Sequence, residues 1–461
     1  MAYDDKARLY RRLVTGTSDA TVLARMRLHG FWPLGRGLPA DPPDELKKRL
    51  DLEQKLVILR DAEVVATQSP EKLLEAERKR RWAALKQRRA EKKAARAKAV
   101  QARRDAFAKL RRSSVLHAGI GVSKLLNDTK SDHAALRARG LPVLDAGPDL
   151  AMMLGIPLGV LRWLTFHRRG ATLVHYHRFS LPKKTGGQRA ISAPKPRLKT
   201  AQAWVGQNVL GPLALSPHAH GFVPGRSTVT NAALHVGKKV VVNLDVRDFF
   251  PTFGFRRVRG LFRHLGYSGQ VATLLALLCT EPPRLEASVD GTRVWVALGH
   301  RVLPQGASTS PALTNLLCHR LDQRLAGLAR RHGFAFSRYA DDLTFSGDHP
   351  ERLGRLLKSA RAILAAEGLV EHPDKTKVMR ASQQQEVTGI VVNTQLGLPR
   401  DTMRRLRATL HNCARHGLDS QNREGHPNFR GYLEGMVAYA SMVNPEKAAP
   451  LRAALTLALG G

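Results

Sequence analysis

Residues 334–347 read FAFSRYADDLTFSG, and this stretch decides the fold. Two runs rich in Phe, Tyr and Thr flank Ala340-Asp341-Asp342, and Gly347 follows, a pattern that predicts a β-hairpin with two carboxylates at its tip. Neighbouring anions repel each other and are tolerated best when a divalent cation lies between them. An isolated pair of aspartates is more often a solvated polar turn, so its interpretation depends on what the rest of the chain supplies.

A third acid follows another strand pattern. Residues 240–253 read VVVNLDVRDFFPTF, and the apolar run at their start is typical of a buried strand that ends at Asp245. An acid at the end of a buried strand is costly unless it is paired or bound to a metal. Asp245 lies 96 residues before Asp341, which suits two adjacent strands of one sheet joined by a crossover. Asp248 fits a helix cap or a salt bridge better than a metal ligand.

A loop lies between the acids in the sequence. Residues 303–311 read LPQGASTSP, and a helix is predicted after them from the spacing of Leu313, Leu317, Leu321, Leu325 and Leu328. A Gln-Gly turn that opens a helix beside the carboxylates is well placed to contact an incoming nucleotide and a template. Three carboxylates that converge on two Mg²⁺ ions would form the two-metal arrangement used for phosphoryl transfer.

The composition agrees with a nucleic-acid enzyme. The chain has 461 residues, with 75 Lys and Arg against 38 Asp and Glu, and its formal net charge is +37. This surplus excludes an ordinary metabolic enzyme as the first interpretation and indicates a polyanionic partner, for which nucleic acid fits better than a membrane. The sequence shows no secretory signal. Cys279, Cys318 and Cys413 are too far apart for a zinc pair or a disulfide framework, which predicts small buried side chains in a reducing cytoplasm.

The first 113 residues differ from the rest. Residues 1–70 are nearly neutral and predict a small helical appendage of unknown role, with leucines at helical spacing in 44–60. Residues 71–113 predict a basic helical arm. Its stretch 71–112 has 17 Lys and Arg, 5 Asp and Glu, and no Gly or Pro. This helix is either a solvated spacer or an arm that lies along phosphates, and its charge favours the arm.

In this order and spacing, the LDxxDFF strand, the LPQGxxxSP loop and the YADD hairpin resemble the palm motifs of reverse transcriptases. The resemblance covers roughly residues 140–461 and implies an α+β right-hand polymerase fold. Its N-terminal helices and fingers would occupy 114–239, an interleaved palm 240–394, and a short helical thumb 395–461. The resemblance implies Asp245, Asp341 and Asp342 as the catalytic residues, and it implies that the metal ligands are Asp245, Val246, Asp341 and Asp342.

The resemblance also implies nucleotide-binding residues. The segment HYHRFSLPKKTGGQRAISAPKPRLKTAQAWV (175–205) is similar to the fingers of bacterial reverse transcriptases, where a Lys and an Arg six residues later clasp the triphosphate. Here these are Lys183 and Arg189, although generic surface charge is the plainer alternative. The implied nucleotide contacts further include Gln305, Lys375 in preference to Lys377, and Phe250, whose ring would reject a 2′-OH unless it is simply a core residue beside Phe249. Arg226 is a candidate contact to the template backbone.

Two short elements resemble the retron group of reverse transcriptases. They are NAxxH, with Asn231 and His235, and VTG, with Val387, Thr388 and Gly389. In retron enzymes these elements are associated with recognition of the cognate structured RNA, although a lone His or Thr is more often structural. The segment LRWLTFH and the basic, Ala-rich front resemble the myxobacterial branch.

The function implied is that of a retron RNA-directed DNA polymerase. It would use two Mg²⁺ ions and dNTPs to copy part of a cognate structured non-coding RNA into single-stranded DNA (msDNA), primed from a 2′-OH of a guanosine in that RNA. Only 119 residues follow Asp342, so we expect RNA removal by a host ribonuclease H. The resemblance also implies a role in antiphage defence together with a retron effector protein. We expect no membrane partner. The alternatives are a group II intron-like reverse transcriptase and a non-catalytic nucleic-acid binding scaffold of the same fold.

Overall fold

The computed structural model describes residues 19–37, 43–67, 69–182 and 186–460. The chain divides into two compact units, Met1–Asp105 and Ala106–Gly461. Within the described residues, no helix is both long enough and apolar enough to cross a membrane.

The described residues of the first unit are mainly helical. Its helices are α1 (Asp19–Leu28), α2 (Pro43–Thr67) and most of α3 (Pro70–Ser113). The predicted long basic helix is confirmed, because α3 runs for 44 residues and has no buried residue. Ala, Lys, Arg, Gln and Glu are strong helix formers, and no Gly or Pro interrupts them after the first residue.

The second unit mixes strands and helices, which confirms the predicted α+β class. Its strands are β1 (Gly170–Ala171), β2 (Tyr176–Pro182), β3 (Gln188–Pro194), β4 (Val240–Asp245), β5 (Arg284–Val289), β6 (Thr292–Ala297), β7 (Phe334–Tyr339), β8 (Asp342–Gly347), β9 (Lys377–Arg380), β10 (Glu386–Val387) and β11 (Ile390–Val391). Its helices are α4 (His133–Ala138), α5 (Gly147–Met153), α6 (Leu158–Thr165), α7 (Pro196–Val205), α8 (Thr228–Ala233), α9 (Phe249–Thr252), α10 (Phe255–Leu265), α11 (Gly269–Cys279), α12 (Ser310–Leu317), α13 (His319–His332), α14 (Leu353–Ala366), α15 (Arg400–His416), α16 (Phe429–Val443) and α17 (Pro445–Leu459).

A four-stranded antiparallel sheet lies at the centre of this unit, in the order β7-β8-β4-β9. Successive residues of a strand point to opposite faces, and the two faces of β4 enter different cores. Val240 and Val242 pack into the larger core, whereas Val241 packs into a second core with Leu410 of α15 and Val437 of α16. Both faces of β4 are therefore covered, which explains its continuous apolar run.

The smaller sheets flank this centre. Strands β2 and β3 form a hairpin, β1-β6-β5 form a three-stranded sheet, and β10-β11 form a tight hairpin. The residues that connect β2 to β3 include 183–185, which lie outside the described residues.

One helix differs from its prediction. The leucines after the LPQG loop predict a continuous helix, but the structure has two, α12 and α13, which are separated at Cys318 with φ −87° and ψ 0°. The four-residue leucine spacing continues through this break, so the periodicity carries no sign of it. Cys279, Cys318 and Cys413 are all free and buried, as predicted.

Candidate active site

Three carboxylates meet at one end of the central sheet. Asp245 is the last residue of β4, and it lies opposite Asp342, the first residue of β8, in the antiparallel register. Asp341 occupies the turn before Asp342, and its main-chain oxygen accepts a hydrogen bond of 3.2 Å from the Val246 amide. The predicted hairpin and the predicted pairing of the two acidic strands are thus confirmed.

A buried ion pair stabilises the turn of the hairpin. Arg338 and Asp322 are both fully buried, and two guanidinium nitrogens donate to the two carboxylate oxygens at 2.6 and 2.8 Å. A third, Nη1 of Arg338, donates to the carbonyl of Ala340 at 3.3 Å. Ala340 has a φ of +58°, a conformation that a residue with a Cβ rarely adopts, and this bond helps to maintain it.

A glycine brings a neighbouring loop against the same turn. A Cβ added at Gly221 would lie 2.7 Å from the amide nitrogen of Ala340, so a side chain there would displace the turn. The preceding loop pairs with β7, since His220 donates to the carbonyl of Arg338 at 2.7 Å. Sequence reasoning missed these residues. The available signal was Asp322, which stands among the buried leucines of α13.

Burial and mutual repulsion shape the charges of the site. Burial, together with the neighbouring charges of Asp341 and Asp245, raises the pKa of Asp342 to about 7, and Lys375 opposes this rise. Burial also raises the pKa of Asp341, and Asp245 adds to this; Lys375 and Arg189 act in the other direction. The two hairpin carboxylates therefore lie where an added positive charge would stabilise their ionised form.

Lys375 is the cation in contact with this cluster. It ends a single turn of 3₁₀ helix, Pro373–Lys375, and its Nζ lies 3.0 and 3.1 Å from the two carboxylate oxygens of Asp245. Lys377 is the first residue of β9, opposite Asn243. The structure thus places Lys375, the preferred of the two lysines, on a predicted catalytic acid.

The donor atoms suit a hard divalent cation. Carboxylate and main-chain carbonyl oxygens are the ligands that Mg²⁺ prefers, and Val246, whose side chain has no donor, would contribute its carbonyl. Within the described ranges, no three Asp, Glu, His or Cys side chains already form a metal cluster. Asp245 instead pairs with Lys375. The excess of partly buried negative charge at Asp341 and Asp342 nevertheless fits a cation at this position.

The structure relates only some of the predicted nucleotide-binding residues to the acids. Arg189, on β3, is close enough to Asp341 to lower the pKa of its carboxyl. The loop that carries Gln305 packs on the same strand, because the Gln305 carbonyl accepts a bond of 2.8 Å from the Ser192 amide. Lys183 lies outside the described residues.

One aromatic and one acidic residue that follow β4 also have defined positions. Phe250 is half-buried, with its ring centroid 5.7 Å from that of Phe249. Asp248 is exposed and precedes the short helix α9 with a φ of +46°. Its side chain makes no capping hydrogen bond, so the predicted cap is wrong in its chemistry although right in its position.

The two predicted RNA-recognition elements contact each other. Asn231 is fully buried on α8, and its Nδ2 lies 3.5 Å from Oγ1 of Thr388. Thr388 and Gly389 form the turn between β10 and β11, with φ values of +47° and +85°, and Val387 before them is fully buried.

Direct RNA contact does not fit two of the candidates. His235 is fully buried, and its two ring nitrogens lie 2.7 Å from the hydroxyls of Ser346 and Ser337. The imidazole therefore braces β7 and β8 and reaches no surface. Arg226 donates hydrogen bonds to three carbonyls of one loop, those of Ser216, Pro217 and Ala219. These bonds stabilise the loop and occupy the guanidinium group that was expected to contact the template.

Comparison with known proteins agrees with this geometry. Residues 181–392 match the family described as reverse transcriptase (RNA-dependent DNA polymerase), a range that contains every candidate site residue. The chain is 48% identical over 323 residues to the retron Mx65 reverse transcriptase of Myxococcus xanthus, covering 70% of this chain and 74% of that protein. It is 43% identical over 380 residues to the retron Mx162 reverse transcriptase of the same organism, covering 77% and 76%. It is 32% identical over 280 residues to the retron Ec86 reverse transcriptase of Escherichia coli, covering 60% and 80%.

Proposed function

Since the chain belongs to the retron reverse transcriptases, in their myxobacterial branch, we propose that it copies part of a cognate structured RNA into single-stranded DNA (msDNA), primed from a 2′-OH of a guanosine in that RNA. As a member of this family it is an RNA-directed DNA polymerase with the right-hand polymerase fold, and a template RNA is its partner. The observation that supports the proposal is the convergence of Asp245, Asp341 and Asp342 at one end of a buried sheet.

We assign the chemistry to these three acids. With the carbonyl of Val246 they would hold two Mg²⁺ ions, which activate an attacking hydroxyl and offset the charge of the pyrophosphate leaving group. The partial burial of Asp341 and Asp342 lowers their contact with water and strengthens the electrostatic contacts in the site. The Arg338–Asp322 pair keeps the hairpin turn in place, so the acids need no rearrangement during the reaction.

We assign binding of the substrate dNTP to Arg189, Lys183, Gln305 and Phe250. Arg189, together with Lys183, binds the triphosphate, and Gln305 contacts the nucleotide from the loop packed on β3. Phe250 lies under the sugar and rejects a 2′-OH by its bulk. Lys375 supplies a positive charge beside Asp245, where negative charge accumulates when a triphosphate enters.

We divide the chain accordingly. N-terminal helices and fingers occupy 114–239, an interleaved palm 240–394, and a helical thumb 395–461. The basic arm, 71–113, binds RNA phosphates; its 17 cations in 71–112 lie on a helix without a buried side chain. We assign residues 1–70 to a small helical appendage of unknown role.

Priming from a 2′-OH requires that the RNA be held away from the metals as well as at them. Oriented binding of this kind turns a rare bimolecular encounter into an intramolecular one. Thr388 and Gly389 are our candidates for the RNA contact, with Asn231 as the residue that positions Thr388. His235 does not contact the RNA in this proposal; it stabilises the hairpin strands β7 and β8 beside the acids through Ser337 and Ser346.

The remaining partners follow from the same proposal. The msDNA stays joined to its RNA, a host ribonuclease H removes the copied template, and a retron effector protein connects the product to antiphage defence.

Two measurements test the proposal. The first is Mg²⁺-dependent extension of a DNA primer on an RNA template by the purified chain; failure to extend would favour a non-catalytic scaffold. The second is sequencing of the nucleic acid that co-purifies with the protein. A branched RNA–DNA species is expected, and its absence from an active preparation would contradict 2′-OH priming but leave the polymerase assignment intact.

A further inference from the structure

The chain has a long stretch of one sign of charge. Residues 150–244 contain 13 Lys and Arg and no Asp or Glu. Part of this charge belongs to the nucleotide site described above, through Arg189. Another part lies around α6 and the beginning of α7, outside the proposed nucleotide site. A surface with uncompensated positive charge needs a polyanionic partner.

Two aromatic rings project from the same region. Trp163, in the last turn of α6, and Phe166, just after it, are 39% and 37% exposed. A guanidinium lies over each ring: Arg197 is 5.8 Å from the centroid of Trp163, and Arg168 is 5.1 Å from that of Phe166. Large rings that are left exposed and paired with arginine are well suited to stack on nucleic-acid bases.

Both rings line one shallow cleft, together with Leu173. A base would lie across the mouth of this cleft, against the ring faces. At its floor, the buried carboxylate of Glu281 is satisfied by Arg178 and Arg284, each at 2.9 Å. No free negative charge is left in the cleft to repel a phosphate.

The cations at the mouth are available. Arg168, Arg197 and Lys199 are exposed and form no ion pair with any residue that the structure describes. We propose that the face formed by Trp163, Phe166, Arg168 and Arg197, called here the aromatic–arginine face, binds unpaired nucleotides of an RNA strand. Bases stack on the two rings, and phosphates pair with the two guanidinium groups. The inference rests on the proposed RNA partner but not on the assignment of the catalytic residues.

Single-stranded RNA fits this face better than a duplex. Bases inside a helix already stack on their neighbours, and a helix offers a protein mainly its shape, 2′-hydroxyls and phosphates. Stacking on an aromatic ring needs a base that is free on one face. A protein partner would need an acidic surface to match these cations, and its capture is the alternative outcome of the test.

The test measures binding of a 12-nucleotide single-stranded RNA with a central 2-aminopurine, whose fluorescence is quenched by stacking. The full chain is used, with its catalytic cleft first filled by a DNA primer–RNA template duplex. W163A/F166A should lower the affinity at least about fivefold and abolish the quenching, because the loss of each base–ring stack has a substantial cost. W163F/F166Y, which keeps both rings, should retain most of both signals. L457A removes an apolar side chain from α17 that is more exposed than either ring, and it should change neither signal.

The salt dependence of RNA binding distinguishes the contribution of the rings from that of the arginines. R168A/R197A should flatten the log–log salt slope by roughly 0.7 for each phosphate that the protein no longer neutralises, whereas W163A/F166A should leave the slope unchanged. All variants should extend a generic primer at the wild-type rate and keep the wild-type melting temperature.

Four results would overturn the inference. The first two are unchanged affinity and quenching in W163A/F166A, and an equal loss of affinity in this variant for a fully paired RNA hairpin. The third is an unchanged salt slope in R168A/R197A. The fourth is a variant of this face that no longer captures a protein partner but binds the RNA as well as the wild type does. If W163A/F166A fails to fold, the arginine variant decides. A chain that binds the oligomer through this face but extends no primer would refute the polymerase function and leave this inference standing.

Discussion

Nδ2 of Asn231 lies 3.5 Å from Oγ1 of Thr388, across 157 residues of sequence. Thr388 is β-branched and yet adopts a φ of +47°, a conformation that costs free energy and persists only where the surroundings enforce it. The side-chain oxygen of Asn231 is buried and has no hydrogen-bond partner among the described residues, which adds a second cost at the same contact. Two unfavourable features that meet at one turn suggest a functional constraint on its shape.

Thr388→Ala should therefore separate two activities. Loss of the hydroxyl removes the contact from Asn231 and the bond to the Thr228 carbonyl, so we expect reduced synthesis on the cognate RNA. Extension of a DNA primer on an unrelated RNA template should persist, because no catalytic acid is touched. The measurement is the ratio of the two rates, with Thr388→Ser as the control that keeps the hydroxyl. A parallel fall of both rates would show that the turn only supports the fold.

His235→Ala should change the pH dependence of stability. Burial lowers the pKa of His235 to about 3, so the folded chain holds this imidazole neutral. The unfolded chain binds a proton near its ordinary pKa of about 6.5, so stability falls as the pH drops below that value, by about 1.4 kcal/mol per pH unit down to about 3. Above pH 7 the variant should be less stable, because Ser337 and Ser346 lose their partner.

The check is urea unfolding of both proteins at pH 7.5 and 5. The free energy of unfolding should fall less in His235→Ala than in the wild type between these values. His167 and His220, whose pKa values are both lowered to about 4, contribute the same amount to both proteins and cancel. Equal losses in the two proteins would contradict the neutral, buried state.

Asp322→Ala should destabilise the chain strongly. It leaves the guanidinium of Arg338 fully buried without its carboxylate, a change that typically costs roughly 3–5 kcal/mol. The matched control is Asp401→Ala, which removes the exposed pair with Arg404 and should cost less than about 1 kcal/mol. Chemical denaturation gives both values, and similar values for the two variants would argue against the role of the buried pair.

Phe250→Ala should admit ribonucleotides. If the half-buried ring lies under the incoming sugar, its removal leaves room for a 2′-OH. The ratio of kcat/KM for rNTP to that for dNTP should rise, while dNTP use remains measurable. An unchanged ratio, accompanied by lower stability, would assign Phe250 to the core beside Phe249.

The sequence predicted the parts of the site that depend on local patterns. Alternating aromatic and β-branched residues around Asp341 and Asp342 specify a hairpin, and the valine run before Asp245 specifies a buried strand, so both could be read from a few neighbouring residues. The register that places Asp245 opposite Asp342 follows once the strands are adjacent.

What could not be predicted depends on distant partners. Arg338 looks like a charge interrupting a strand until Asp322, 16 residues earlier on another element, is seen to neutralise it. His235 looks like a free ligand until Ser337 and Ser346, 102 and 111 residues away, are seen to occupy both its nitrogens. Burial of a polar group is decided by its partners, and a single sequence does not display them.

The most direct test of the account is DNA synthesis on an RNA template by Asp342→Asn, with Asp248→Asn as the matched control. Both acids lie near the end of the central strands, but Asp248 is exposed and has no part in the proposed site. The wild type and Asp248→Asn should extend a primer at similar rates in Mg²⁺ and stop when EDTA is added. Asp342→Asn should bind the same primer–template but lose at least about 10²-fold in kcat, as expected when one preorganised charge is removed. Extension by Asp342→Asn at the wild-type rate would contradict the assignment of catalysis to the three aspartates.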